Sequence, residues 1–251
     1  MSDHAVILRV QAGSRAYGLN TDTSDDDTIE VFIETPYEML EPGDKRPRSI
    51  VTIDPDVQHH PLGRYLHLAL QGNPSVIESL YAPRLPTLTD PLLQDLGTEL
   101  RALRGHIVSQ AIRPRYLGYM QAQTQRLLGL RGGHSAGKQG RERYVSRDGY
   151  DTKYASHVLR LGYQCLELFD TGMLRLPMSG TDVRRATIMF CRNGDMPFDL
   201  WLKHTLALDK QIKAAESECL RDEPEREMIV EWAVSAYRAA WGWNGARYVD
   251  R

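Results

Sequence analysis

The chain has 251 residues, of which 41% are hydrophobic and 25% charged, the composition of an ordinary soluble protein able to bury one sizeable core or two modest ones. No apolar run is long enough to span a bilayer, and the start Met1-Ser2-Asp3-His4-Ala5-Val6 lacks the basic segment, apolar stretch and cleavage site of a signal peptide, so a cytoplasmic protein without a membrane partner is expected. A net charge of −2 excludes a wholly electrostatic nucleic-acid binder, although residues 113–160 hold ten Arg or Lys against three acids, a local excess suited to phosphates.

The run Ala5-Val6-Ile7-Leu8-Arg9-Val10 is apolar enough for a strand or for one buried face of a helix, and its periodicity does not choose. It leads into Gly13-Ser14-Arg15-Ala16-Tyr17-Gly18, where small residues let backbone amides approach an anion closely. Asn20 to Ser24 is polar and small, a turn by composition. A strand is then expected over Asp25–Ile33, with Ile29, Val31 and Ile33 on one side and Thr28, Glu30 and Phe32 on the other. Strict alternation puts Asp25 and Asp27 together on the aliphatic side. Such a pair is tolerable at the open end of a strand, where a hard divalent cation such as Mg²⁺ compensates the charge. Taken alone, the Asp triple also reads as a solvated acidic turn; the Gly-Ser turn upstream favours the metal reading.

Residues 34–49, with Pro36, Pro42, Gly43 and Pro47, read as a long loop or insertion. Ser49–Ile53 and Asp56–His60 read as extended segments broken by Pro55, followed by a helix over Leu62–Leu70. His59 and His60 are adjacent on a strand and point to opposite faces, so one ion cannot readily take both. Gly72 is expected to close the helix and Ser75 to open another carrying Val76, Ile77 and Leu80, with Glu78 among them.

Tyr81 to Pro91 is the best boundary in the chain, dividing residues 1–85 from a helical region over 86–251. Helices are expected at Leu92–Leu103, Tyr116–Leu130, Tyr154–Phe169, Asp182–Cys191, Pro197–Ser217 and Glu225–Trp243, where apolar residues recur at three- or four-residue intervals. Arg131 to Arg141 imitates part of a Walker loop, but the Gly spacing is short and Gln139 replaces Ser or Thr, so a flexible basic loop is expected instead. Lys153, His157 and Arg160, spaced i, i+4, i+7, share one helix face, a solvated basic stripe unless a ligand needs it. Cys165, Cys191 and Cys219 lack metal-ligand spacing and are expected to be reduced core thiols. Trp201, Trp232, Trp241 and Trp243 are expected to pack helices rather than stack bases.

Gly13-Ser14, a spacer and Asp25-x-Asp27 before a Val-Phe-Ile strand resemble the nucleotidyltransferase signature of the DNA polymerase beta superfamily. The longer Gly-Ser-Arg-Ala-Tyr-Gly-Leu resembles its RNA-ligase-associated branch, as do Gly72-Asn73-Pro74 with Glu78, and Tyr150-Asp151-Thr152-Lys153 with His157 and Arg160. The resemblance implies an α+β fold, a small mixed sheet in a nucleotidyltransferase lobe followed by a helical lobe that completes the nucleotide site. It implies transfer of a nucleoside monophosphate from an NTP to an acceptor hydroxyl, with two Mg²⁺, or Mn²⁺, held by Asp25, Asp27 and a third carboxylate. Asp56 is preferred for that third place over Asp54, which stands in an Asp-Pro pair suited to a turn. Gly13 and Ser14 would cradle phosphates, and Lys153, with His157 and Arg160, would offset triphosphate charge. RNA is one possible acceptor and an RNA ligase one possible associate; protein and small-molecule hydroxyls stay open. A nucleotide- or RNA-binding module that keeps the fold without turnover is the alternative, and retention of all three carboxylates argues against it.

Overall fold

The computed structural model describes residues 4–22, 24–41, 48–86, 90–130 and 149–242. They form two compact units, the first made of residues up to 71, 75–108 and 224 onward, the second of 72–74 and 109–223. The boundary expected at residue 85 falls inside the first unit.

The first unit is built on a four-stranded mixed sheet of β1 (Ala5–Gln11), β2 (Thr28–Ile33), β3 (Ile50–Ile53) and β4 (Asp56–Pro61), in the order β1-β2-β4-β3. The first segment is therefore a strand, and its pairing with β2 settles what periodicity left open. β1 runs antiparallel to β2, with a register irregularity between Val6 and Leu8 that buries Ile7 and Leu8 in succession. β2 and β4 are parallel, with Thr28 opposite Val57 and Val31 opposite His60, while β3 folds back antiparallel on β4 through the turn Asp54-Pro55. Central strands enclosed on both faces lose clean alternation, and residues Ile29 to Ile33 of β2 are all buried. That includes Glu30, which pairs with Arg9 and with His59 Nδ1 at 2.9 Å.

Residues 34–49 are not wholly loop. Pro36–Leu40 forms a short helix, α2, because Thr35 and Glu38 make a reciprocal capping box at its start. The other helices of this unit are α1 (Gly13–Tyr17), α3 (Leu62–Leu70), α4 (Pro74–Ser79, its first residue in the second unit), α5 (Pro91–Ala102) and α6 (Arg104–Ile107). Ser75 lies within the first turn of α4 rather than before it, since Pro74 supplies the fixed φ that starts a helix. α3 buries Leu62, Tyr65, Leu66 and Ala69, and α5 approaches β1 so closely that a Cβ on Gly97 would lie 1.9 Å from the Ile7 carbonyl oxygen. The last helix of the described chain, Arg226–Ala240, also belongs here. Its Tyr237 hydroxyl donates to buried Glu34 at 2.7 Å, Glu34 accepts the Leu62 amide at 3.1 Å, and Trp241 Nε1 donates to the Glu34 carbonyl at 2.8 Å.

In the second unit a 3₁₀ turn (Gln110–Ile112) leads into α7 (Arg113–Leu127), followed by α8 (Thr152–Thr171), α9 (Val183–Arg192) and α10 (Phe198–Ala214); Arg226–Ala240 of the first unit is α11. α8 is the central rod: Ala155, Val158, Leu159, Leu161, Cys165, Leu168 and Phe169 are buried, and at Gly162 an added Cβ would meet Leu208 of α10 at 2.9 Å. Trp201 is fully buried and donates Nε1 to the Ala155 carbonyl at 3.1 Å, so it packs helices as expected. Cys165 and Cys191 are core thiols, whereas Cys219 is exposed and departs from the expectation. The Walker-like stretch 131–141 and Trp243 lie outside the described residues. No helix among the described residues is long and apolar enough to cross a membrane.

Candidate active site

Gly13 opens α1 with φ +60, a conformation glycine adopts without the strain a side chain brings, and the reason for it is visible. A Cβ there would lie 1.7 Å from Asp27 Oδ2, so the carboxylate of Asp27 rests where any larger residue would stand. The Asp27 backbone is fixed as well, its carbonyl accepting the Ala12 amide at 2.8 Å and Gln11 Nε2 at 3.0 Å. Ser14 lies in the first turn of α1, where amides lack partners within the helix.

β2 begins at Thr28, so Asp25 and Asp27 precede the strand rather than occupy its first positions, and the alternation expected to align them does not govern them. Asp25 is exposed and Asp27 half-buried. Asp56 is the first residue of β4, and extending the Thr28–Val57 pairing back by one residue sets Asp27 beside Asp56 at the same end of the parallel pair. Asp54 instead occupies the β3–β4 turn. Carboxylate oxygens in this arrangement have the chemistry for a hard cation, and Mg²⁺ commonly takes one or two carboxylates with water and phosphate oxygens completing its shell. Among the described residues no group of three His, Cys, Asp or Glu side chains is gathered closely enough to hold an ion unaided.

Further residues shape this end of the sheet without having been assigned a role from sequence. Arg15 donates Nη2 to the Ser24 carbonyl at 3.0 Å, and its Nε lies 2.7 Å from Asp26 Oδ1 as an ion pair whose N–H is not well directed at the carboxylate. The middle acid of the triple is thereby turned to Arg15. The Tyr17 hydroxyl donates to Glu78, which is buried, so Glu78 ties α4 to α1. Arg15 and Tyr17 both belong to the Gly-Ser-Arg-Ala-Tyr-Gly-Leu string. His59 and His60 divide as alternation requires: His59 faces Glu30, while His60 meets Ser49 Oγ at 2.7 Å through Nδ1. Burial, with Arg64 and His59 nearby, pushes the His60 imidazolium down to about 4.

In the second unit Asp151 caps α8, accepting the Lys153 and Tyr154 amides at 3.0 and 3.1 Å. The basic stripe passes from surface to core. Lys153 is exposed and His157 half-buried, while Arg160 is buried, donating Nη1 to Gln164 Oε1 at 2.8 Å and standing 3.3 Å from His157 Nε2 through Nη2. Burial, then the charges of Arg160, Arg126 and Lys153, hold His157 well below the usual imidazole range, so its ring is neutral and Nε2 accepts from Arg160. Gly72 has φ +68, and a Cβ there would lie 3.1 Å from the Ile112 Cα; Asn73 Nδ2 donates to the Tyr119 hydroxyl at 2.9 Å. The Gly-Asn-Pro string is accounted for by these packing roles.

A small mixed sheet with a Gly-Ser turn after its first strand, followed by helices, fits the polymerase-beta class expected from the sequence. Residues 1–190 match RlaP, the RNA repair pathway DNA polymerase beta family, and the chain belongs to that family. Comparison with curated proteins and with solved structures gives no match.

Proposed function

We propose that the protein is a metal-dependent nucleotidyltransferase that moves a nucleoside monophosphate from an NTP to an acceptor hydroxyl, in RNA repair or RNA end modification. What supports this reading is that Asp27 directly precedes β2 and Asp56 begins the parallel strand β4, with Asp27 Oδ2 against Gly13. Family membership supports the reaction class and the link to RNA. The acceptor oxygen attacks the α-phosphorus, the bond from that phosphorus to the β-phosphate oxygen breaks, and pyrophosphate leaves. Asp25 and Asp27 would hold Mg-NTP, and Asp56 would serve the attacking side. When bound, Mg²⁺ supplies charge to the attacking and leaving oxygens. Gly13 and Ser14 would present backbone amides to the phosphates, and Lys153 is the exposed cation of the α8 stripe for the triphosphate. Arg160, buried and bonded to Gln164, would act by orienting His157 rather than by meeting the nucleotide directly.

The test is incubation of the protein with each α-labelled NTP, Mg²⁺ or Mn²⁺, and separate RNA, protein and metabolite extracts. Label in RNA supports the full reading. Label in protein or metabolite keeps the transferase and replaces the acceptor. No label in any fraction, with an NTP bound, favours a binding module.

A further inference from the structure

We infer that Arg15 is a positioning residue that holds the Asp25–Asp27 segment in its cation-binding form, an inference that rests on the proposed metal-dependent reading of these aspartates. The chain reaches this segment from α1. It leaves α1 through Gly18, in the left-handed region at φ 72, and turns at Thr21 and Ser24, where the Ser24 amide reaches the Thr21 carbonyl at 3.0 Å and the Thr21 amide reaches Ser24 Oγ at 2.8 Å. That turn brings Ser24 next to Asp25. It is joined to α1 by Arg15, whose guanidinium contacts both the Ser24 carbonyl and the Asp26 carboxylate, one on each side of Asp25. From the other direction the Asp27 carbonyl is fixed by Ala12 and Gln11. Asp25 is therefore spanned by restraints on residues 24, 26 and 27, and one side chain supplies two of them. The guanidinium extends over both groups, Nη2 donating to the Ser24 carbonyl while Nε stands beside the Asp26 carboxylate, a reach that the point charge of an ammonium lacks.

The sign of the effect separates positioning from charge. A cation beside a metal site repels the metal, so removing Arg15 by charge alone should tighten cation binding, and replacing it by Lys should change nothing. A positioning role predicts weakening in both variants. The pair with Asp26 is exposed, with 79% of the Asp26 side chain accessible, so it contributes little to the stability of the fold.

The experiment is titration of the full chain with Mn²⁺ alone, reading free Mn²⁺ by electron paramagnetic resonance, with thermal melting measured on the same samples. Wild type should show a site lost in Asp27→Asn. Arg15→Ala should bind about tenfold more weakly and Arg15→Lys several-fold more weakly, with melting unchanged. Should Arg15→Ala not fold, Arg15→Lys carries the comparison alone. Equal or tighter Mn²⁺ binding in the folded Arg15 variant, with the Asp27-dependent site present in wild type, overturns the positioning role and leaves the proposed function standing. Absence of any Asp27-dependent Mn²⁺ site in wild type overturns both.

Discussion

Asp27 makes two separable contributions: its backbone carbonyl joins β2 to the end of β1, and its carboxylate rests over Gly13. Asp25→Asn and Asp27→Asn should each abolish nucleotide transfer while leaving the melting temperature equal to wild type or higher, because a ligand charge is lost and the backbone bonds survive. Activity assay and calorimetry on the same preparations check this. Gly13→Ala should be worse for the fold than either, since it must both adopt φ +60 and displace the carboxylate; a loss on the order of 1–3 kcal/mol is expected in denaturant unfolding. His60 contributes a pH dependence. Its value in the folded protein, about 4, lies below the ordinary 6.5, so between these limits the unfolded chain binds the extra proton and stability falls as pH drops. The effect is on the order of 3 kcal/mol across the window, and His157 acts with the same sign. Melting curves at pH 7 and 4.5 should show a larger drop for wild type than for His60→Gln.

Helices were the most legible elements, since α7, α9, α10 and α11 bury one face each and the 3.6-residue period survives, while α8 is buried on most sides. β1 was ambiguous because it is apolar on both sides, a consequence of strands that are covered twice. The candidate aspartates were found from residue type and spacing, but the reason given for them, alternation along one strand, fails because β2 starts only at Thr28. Burial of Arg160 was not legible: spacing places it on the face of Lys153, but only its bonds to Gln164 and His157 show how deep that face runs. Glu34 was hidden for a similar reason. Nothing local marks a carboxylate that accepts from Leu62, 28 residues on, and from Tyr237, 203 residues on. Glu34→Ala would strand both donors and leave a hole at the start of α3. A loss of about 2–6 kcal/mol is expected, at roughly 1–3 kcal/mol for each of the two buried groups left unsatisfied, and chemical denaturation would measure it. Glu34→Gln, which keeps an acceptor, should cost less.

For the whole molecule, α11 lies past the family match, which ends at residue 190, yet it belongs to the same unit as the sheet. The described residues beyond 86 are largely helical and are divided between the two units, and removal of residues 224 onward should destabilise the sheet unit. Lys153→Ala should weaken NTP binding by roughly 1.5–3 kcal/mol, the range for hydrogen bonds to charged groups, and NMP binding much less, as titration calorimetry with both ligands would show. The most direct test of the central claim compares transfer of label from α-labelled and γ-labelled NTP to the RNA fraction, with Mg²⁺, by wild type and Asp27→Asn. The account predicts labelled RNA from the α position alone, with pyrophosphate released, and none in Asp27→Asn. Label arriving from the γ position, or persisting undiminished in Asp27→Asn, would contradict it.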